Sequence, residues 1–155
     1  MAINVKLREV RDDDLTTLYL QQLDPEACAI ARFPSRGLDD FMAHWEKIRG
    51  VASNFTYTIL VDDQVVGNIG SWETHGEREV GYWIGKEFWG QGIATSALTE
   101  LLLQLPMRPL LGYVAKSNLG SRRVLEKCGF LLYKEEKMAL HPGGSEIDTC
   151  IFMLE

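Results

Sequence analysis

A chain of 155 residues, 46% hydrophobic and 25% charged, has room for one core and matches ordinary globular composition, which disfavours a two-domain enzyme, a disordered chain and a disulfide scaffold. Its 16 Lys+Arg against 22 Asp+Glu give a net charge of -6, and that argues against a nucleic-acid partner, whose binding rests on clustered cations. The acid is also uneven: residues 1–85 hold 14 acidic and 8 basic side chains and residues 86–155 hold 8 of each, which is read either as ordinary solubilising charge or as a first part that attracts a cationic ligand and a second open to an anionic one.

In chain order, residues 3–9 alternate as a strand, and Asp12 caps a helix that carries Leu15, Leu18 and Leu23 at helical spacing. Pro25 opens a second short helix. Asp39 or Asp40 opens a third, in which Phe41, Trp45 and Ile48 form one face before Gly50 stops it. Residues 54–61, 64–72 and 78–84 are rich in β-branched and aromatic side chains, and Asp62-Asp63 is a turn signal between the first two, so an antiparallel meander follows. From near Gly92, the residues Ala94, Ala97, Leu98, Leu101, Leu102 and Leu105 keep a helical stripe that Pro106 ends. Residues 109–115 read as a strand and 117–127 as a helix closed by Gly129. Residues 130–138 and 147–154 complete the chain as two strands around the turn His141-Pro142-Gly143-Gly144.

No repeat, low-complexity tract or linker divides the sequence, so residues 1–155 are expected to form a single domain. Cys28, Cys128 and Cys150 are odd in number and lack CxxC spacing, which supports neither a disulfide framework nor a metal site. The opening residues Met1 to Glu9 hold no apolar leader core and no stretch is long enough to span a membrane, so a cytoplasmic protein with no membrane partner is expected.

Chemistry concentrates in Glu79-Val80-Gly81-Tyr82-Trp83-Ile84-Gly85-Lys86-Glu87-Phe88-Trp89-Gly90-Gln91-Gly92-Ile93-Ala94-Thr95, where a strand enters a loop with two glycines and the loop becomes the start of a long helix. Backbone N–H groups of such a loop converge on one point, where the positive end of the helix binds phosphate. The P-loop pattern GxxxxGK[ST] is absent, and the dinucleotide fingerprint GxGxxG fails because Thr95 stands at its third glycine. A second block, Asn118-Leu119-Gly120-Ser121-Arg122-Arg123-Val124-Leu125-Glu126-Lys127-Cys128-Gly129-Phe130, lies one strand and one helix later.

Together these blocks resemble the GNAT superfamily of acetyl-CoA-dependent N-acetyltransferases. Trp89-Gly90-Gln91-Gly92-Ile93-Ala94 resembles its pyrophosphate loop, with Trp89 where Gln or Arg is usual. The flanking E-V-G-Y-W and N-x-x-S-x-x-x-x-E-K-x-G-F patterns are most similar to the RimJ/RimL-like branch. The resemblance implies an α/β fold with a mostly antiparallel sheet, splayed at its centre and flanked by helices. It implies acetyl-CoA as cosubstrate, held by Trp83, Ile84, Trp89, Gly90, Gln91, Gly92, Ile93, Ala94, Thr95, Asn118 and Arg122, with no metal. The arm of the cosubstrate would insert between strands 79–84 and 110–115, with Gly81 and Gly85 permitting a bulge or close approach. Lys86, Lys116, Arg122, Arg123 and Lys127 are cations flanking the motifs.

The resemblance also assigns catalysis. Glu79 occupies the position of a general base for an incoming amine, and Glu77 competes with it on the same strand. The tyrosine that many members use to protonate the departing thiolate is Leu125 here, and Ser121 occupies the position proposed for that role in RimJ/RimL-like members. Asn118 has two readings, as a helix N-cap and as an amide that bonds the arm or the acetyl carbonyl. His75 reads as a turn residue, His44 and His141 rank below it, and Trp72 at a strand end would line an acceptor pocket. The acceptor would be an amine on a small molecule, protein or peptide, cationic given the acid before residue 86; its identity and the choice between monomer and homodimer stay open. The alternative function is an acyl-CoA-binding sensor that no longer turns over.

Overall fold

The computed structural model describes residues 3–155; Met1 and Ala2, the first of the residues read for a leader, lie outside it. Seven strands form one sheet in the order β1-β2-β3-β4-β5-β7-β6. They are β1 (Val5–Glu9), β2 (Phe55–Val61), β3 (Gln64–Thr74), β4 (Glu77–Ile84), β5 (Leu110–Ala115), β6 (Leu131–Met138) and β7 (Ile147–Leu154). Helices α1 (Leu15–Gln22), α2 (Pro25–Ala31), α3 (Leu38–Arg49), α4 (Ile93–Gln104) and α5 (Leu119–Lys127) complete the fold. Every neighbouring pair of strands is antiparallel except β4 and β5, which are parallel. Among the described residues no helix is long and apolar enough to cross a membrane.

The apolar periodicity explains the layers. Ile93, Ala97, Leu98 and Leu101 of α4 and Leu125 of α5 are buried against Ile59, Ile69, Val80, Leu110, Val114 and Phe152 of the sheet. A second cluster joins Leu15 and Leu18 of α1 to Phe41 and Trp45 of α3. Val66 and Val65, adjacent in β3, belong one to each cluster, as alternation along a strand requires. The two hairpin turns take the left-handed conformation that tight antiparallel connections need, with φ of 51° and 62° at Asp62 and Asp63 and 51° and 81° at His75 and Gly76.

Several boundaries differ from the sequence expectation. The residues 12–14 form a 3-10 turn before α1, and the group that caps it is Asp14, whose Oδ2 accepts the Arg11 N–H at 2.9 Å; Asp12 is exposed and ion-paired to Arg49. Helix α1 ends at Gln22, leaving Leu23 outside it, and α3 starts at Leu38 after Gly37 rather than at Asp39 or Asp40. Strand β4 carries no bulge at Gly81; its pairing with β3 is regular throughout, and the irregularities fall at Ile59/Leu60 and Leu132/Lys134. Gly81 has another use, because a Cβ there would meet the Trp72 indole at 2.5 Å.

Asp14 locks β1 to β2. Arg8 donates to both its oxygens at 2.7 and 2.9 Å, and the Thr58 hydroxyl donates at 2.7 Å in the fully buried interior. Burial by itself would push the carboxyl up, yet these donors and the Arg11 N–H outweigh it and hold Asp14 down at about 2. A depressed carboxyl contributes stability above its unfolded pKa and loses it as pH falls through the folded one, so this contribution should vanish between about pH 4 and pH 2. Asp14→Asn, which strands the Arg8 charge, is expected to cost about 3 kcal/mol at neutral pH. Urea unfolding at pH 7 and pH 3 checks both, the gap between the proteins narrowing at the lower pH.

Candidate active site

Parallel pairing between β4 and β5 is limited to Arg78 with Leu110 and Glu79 with Leu111. Beyond Glu79 the strands part, while β4 stays paired to β3 as far as Ile84 and β5 stays paired to β7 along its whole length. The Gly85 N–H donates to the Val66 carbonyl at 2.9 Å, and the Glu79 carbonyl accepts from the Ser71 hydroxyl at 2.7 Å, so the odd-numbered backbone groups of β4 face β3. Alternation then turns the backbone of Tyr82 and the N–H of Ile84 toward the opening, where an extended chain would find donors and an acceptor without strand partners. Ile84 is therefore placed at the gap. Trp83 is turned from it, its indole donating to the Gln21 carbonyl of α1 at 3.2 Å.

The chain leaves β4 through Gly85 and a 3-10 turn at Lys86–Phe88, and the Trp89 indole ties the loop back to the Ile84 carbonyl at 3.0 Å. Gly90 and Gly92 have φ of 79° and 75°, the left-handed region that side-chain-bearing residues avoid, and a Cβ at either would meet no protein atom within 4 Å. The first helical bond of α4 runs from the Ser96 N–H to the Gly92 carbonyl, and no side chain caps the helix. The N–H groups of Ile93, Ala94 and Thr95 thus lack helical partners, at the positive end of a 12-residue helix. Gln91 is exposed beside them, whereas the Ile93 side chain is buried in the core and leaves only its backbone to the loop. The loop has the open face and donors that a pyrophosphate needs.

The flanking cations divide. Lys86 is paired with Glu26, and Lys116 with Glu135 at 3.1 Å. Arg122 points to the far side of α5, donating to the Lys116 carbonyl at 2.9 Å and lining a hollow with Glu126, Leu131 and Phe152. Arg123 and Lys127 are exposed and form no ion pair among the described residues.

On the sheet face opposite α5 stands Glu79, half-buried and opposite Trp72 on β3. Burial pushes its carboxyl up, the Thr74 hydroxyl opposes this, and the Glu77 charge pushes it up further. Arg78 does not neutralise it, since that guanidinium donates to the Ser53 carbonyl, approaches Glu73 at 3.9 Å and lies over Phe55. Glu77 is exposed, next to the turn. The Trp72 ring lies across Gly81, which has no side chain to hold it off the sheet. Tyr113 of β5 faces the same region; burial and the charges of Glu77, Glu79 and Glu136 together push its phenol up. Aromatic and acidic groups therefore share this mouth of the gap; Glu136, on β6 beyond β7 and ion-paired to Lys134 at 3.5 Å, acts on Tyr113 from further off.

Across the gap, α5 starts at Asn118, whose Oδ1 accepts the Ser121 N–H at 3.2 Å. The cap reading of Asn118 is thus realised by its oxygen, with its NH2 left over for the other. The Ser121 hydroxyl lies 2.7 Å from the Tyr82 hydroxyl, which reaches over from β4 and also donates to the Ser121 carbonyl at 3.2 Å. Burial pushes the Tyr82 phenol up to about 12. Leu125 is buried against Gly112, where a Cβ would meet it at 2.9 Å, so the position that often carries tyrosine is a packing residue here. Cys128 bonds the Thr99 hydroxyl and the Thr95 carbonyl, joining α5 to α4. His75 sits in the β3–β4 turn. Among the described residues no group of three or more His, Cys, Asp or Glu is placed to hold a metal ion. Sequence reasoning left Tyr82 and Tyr113 without roles, although the first stands inside the E-V-G-Y-W pattern.

Comparison with known proteins gives the same architecture a lineage. The family model described as "Acetyltransferase (GNAT) domain" matches residues 4–131. A curated protein of Bacillus subtilis (strain 168), "Putative ribosomal N-acetyltransferase YdaF", is 27% identical over 124 residues, 76% of this chain and 66% of its own, so the chain spans just under two thirds of that relative. Mycobacterium smegmatis RimJ, solved in complex with CoA-disulfide, is 27% identical with a TM-score of 0.78, covering 97% of this chain and 81% of that one. Vibrio cholerae spermidine N-acetyltransferase, solved with CoA and spermine, shares the fold at a TM-score of 0.82 and 17% identity, covering 97% and 94%. With the parted parallel strands, the glycine loop and a family match over most of its length, this chain belongs to the GNAT family of acetyltransferases.

Proposed function

We propose that the protein, acting as one catalytic domain, transfers the acetyl group of acetyl-CoA to a primary amine by direct attack within a ternary complex. The observation that carries this reading is the junction of two features at one gap: a donor-lined loop with open space over Gly90 and Gly92, and the backbone of Tyr82 and the N–H of Ile84, left without a strand partner, leading away from it. Bound acetyl-CoA would supply an activated thioester. The loop from Trp89 through Thr95 would hold the pyrophosphate, Arg123 and Lys127 would balance its charge, and the Asn118 amide would bond the arm. Backbone N–H of Tyr82 or Ile84 would polarise the acetyl carbonyl. Glu79 would take the proton that the attacking nitrogen must lose, its upward-shifted pKa making it a stronger base than an exposed glutamate. Ser121 would face the sulfur side. Arg122, on the far side of α5, and the Trp83 side chain, against α1, would act only indirectly.

The acceptor is read as cationic. Trp72 offers a partly exposed indole beside Glu79, and Glu77 adds charge, a combination that attracts an ammonium group before deprotonation. Spermidine, the amine in the name of one structural neighbour, is a polycation and is consistent with that charge. A CoA-release assay over polyamines, basic peptides and acidic peptides tests the proposal. Basic acceptors are expected to lead, by several-fold at low ionic strength and less as salt screens the site. Equal rates for acidic peptides would remove the charge argument, and acetyl-CoA binding with no turnover on any amine would make the domain a sensor.

A further inference from the structure

We propose that Tyr82 is a positioning residue for the sulfur end of the site, holding the Ser121 hydroxyl so that Ser121 donates a hydrogen bond to the departing CoA thiolate and stabilises it without protonating it. This rests on the acetyltransferase reading above and adds to it a residue and a division of labour. The geometry comes from the splay: β4 loses β5 after Glu79, and Tyr82, three residues on, spans the opening to the helix that follows β5. A phenol has one proton and here two acceptors. When it donates to the Ser121 carbonyl at 3.2 Å, the serine proton is drawn into the 2.7 Å contact with the phenol oxygen and away from the gap. When it donates instead to Ser121 Oγ, the serine proton is released to point at a third atom, and the serine oxygen is polarised to donate more strongly. The Asn118 Oδ1 bond to the Ser121 N–H keeps the helix start fixed while the hydroxyls exchange partners.

Acidity decides between donating a hydrogen bond and giving up a proton. When the amine adds and the C–S bond breaks, its electron pair goes to sulfur; the proton lost by nitrogen goes to Glu79 or to water. A CoA thiol resembles a free thiol, with a pKa of about 8.5, so its thiolate is a stable leaving group. The Tyr82 phenol, held at about 12, is a far weaker acid, and an aliphatic hydroxyl is weaker still. Full transfer from either to sulfur would run uphill by three orders of magnitude or more, whereas a charge-assisted hydrogen bond from Ser121 needs no transfer. The titratable group beside the pair is Cys128, just past the end of α5, its thiol raised by burial and bonded to Thr99 of α4. Burial likewise raises Cys28 and Cys150, so each of the three thiols titrates above an ordinary cysteine.

The test titrates CoA on the protein and reads thiolate by its ultraviolet absorbance, as the difference between samples with and without CoA. In the wild-type protein the bound thiol is expected to ionise at least one pH unit below free CoA. Tyr82→Phe and Ser121→Ala should each return it most of the way to the free value, and the double variant should lose no more than either alone. Desulfo-CoA, which lacks the sulfur, should bind all four proteins equally, and that comparison separates a local effect from a damaged fold. A bound thiol that stays acidic in Tyr82→Phe, or a Tyr82→Phe that weakens desulfo-CoA as much as CoA, would overturn the proposal. Failure of the wild-type protein to bind either compound would instead overturn the acetyltransferase reading on which it stands.

Discussion

Replacing Glu79 by Gln is expected to lower kcat/KM roughly 10²–10⁴-fold, the usual worth of a positioned base, while acetyl-CoA affinity stays near the wild-type value. An ammonium nitrogen has no lone pair, so addition to the thioester waits on loss of a proton, and Glu79 is the half-buried carboxylate at the point where β4 and β5 separate. Its pKa is raised by burial, with Glu77 adding to the rise, so in the wild-type enzyme the base form is lost on acidification at a higher pH than for an unperturbed glutamate. The acidic limb of the kcat/KM profile should sit there, and it should disappear in the Gln variant, leaving the limb set by the amine. Glu77→Gln removes one neighbouring charge, so it should move the limb to lower pH and change the plateau little. Wild-type activity in Glu79→Gln across the pH range would transfer the role to water, to Glu77 or to the substrate's own ionisation.

Gly92→Val is expected to weaken acetyl-CoA binding by well over tenfold, and isothermal titration against acetyl-CoA measures it. Two effects act together. A φ of 75° is strained for any residue with a Cβ and worst for a β-branched one, at about 1–3 kcal/mol. The new side chain would also project into the open space over the loop, since no protein atom lies within 4 Å of a Cβ there. The same openness means that the variant has no internal clash to relieve, so it should fold with a stability loss no larger than the strain. Unchanged affinity would mean that the phosphates bind elsewhere.

Much of this protein is readable in its residues because the signals are local. Apolar spacing in α4, the Pro25 start of α2, the paired Asp62-Asp63 turn and the Gly90-Gln91-Gly92 loop are each decided within a few residues by backbone sterics and by the period of the apolar stripe, and the structure has them there. Asn118 caps α5 for the same reason, since a cap reaches only three residues ahead.

What needed the fold is every relation between distant segments. That β7 enters between β5 and β6 has no local signature, and the same holds for the end of β4–β5 pairing after two residues. The sequence marks Gly81 as a place of close approach but does not tell that the approaching group is the Trp72 indole rather than a bulge. Tyr82 lies 39 positions before Ser121, and Tyr113 of β5 comes to face the region of Glu79. Arg122 and Trp83 sit inside the motifs, yet their side chains turn toward Lys116 and α1, because helix phase and strand alternation set direction once packing has fixed each element. Residue type and spacing therefore carry the chemistry of the loop and the caps. Which side chains share the gap depends on sheet order and register, and those follow from burying two apolar clusters on opposite faces of one sheet.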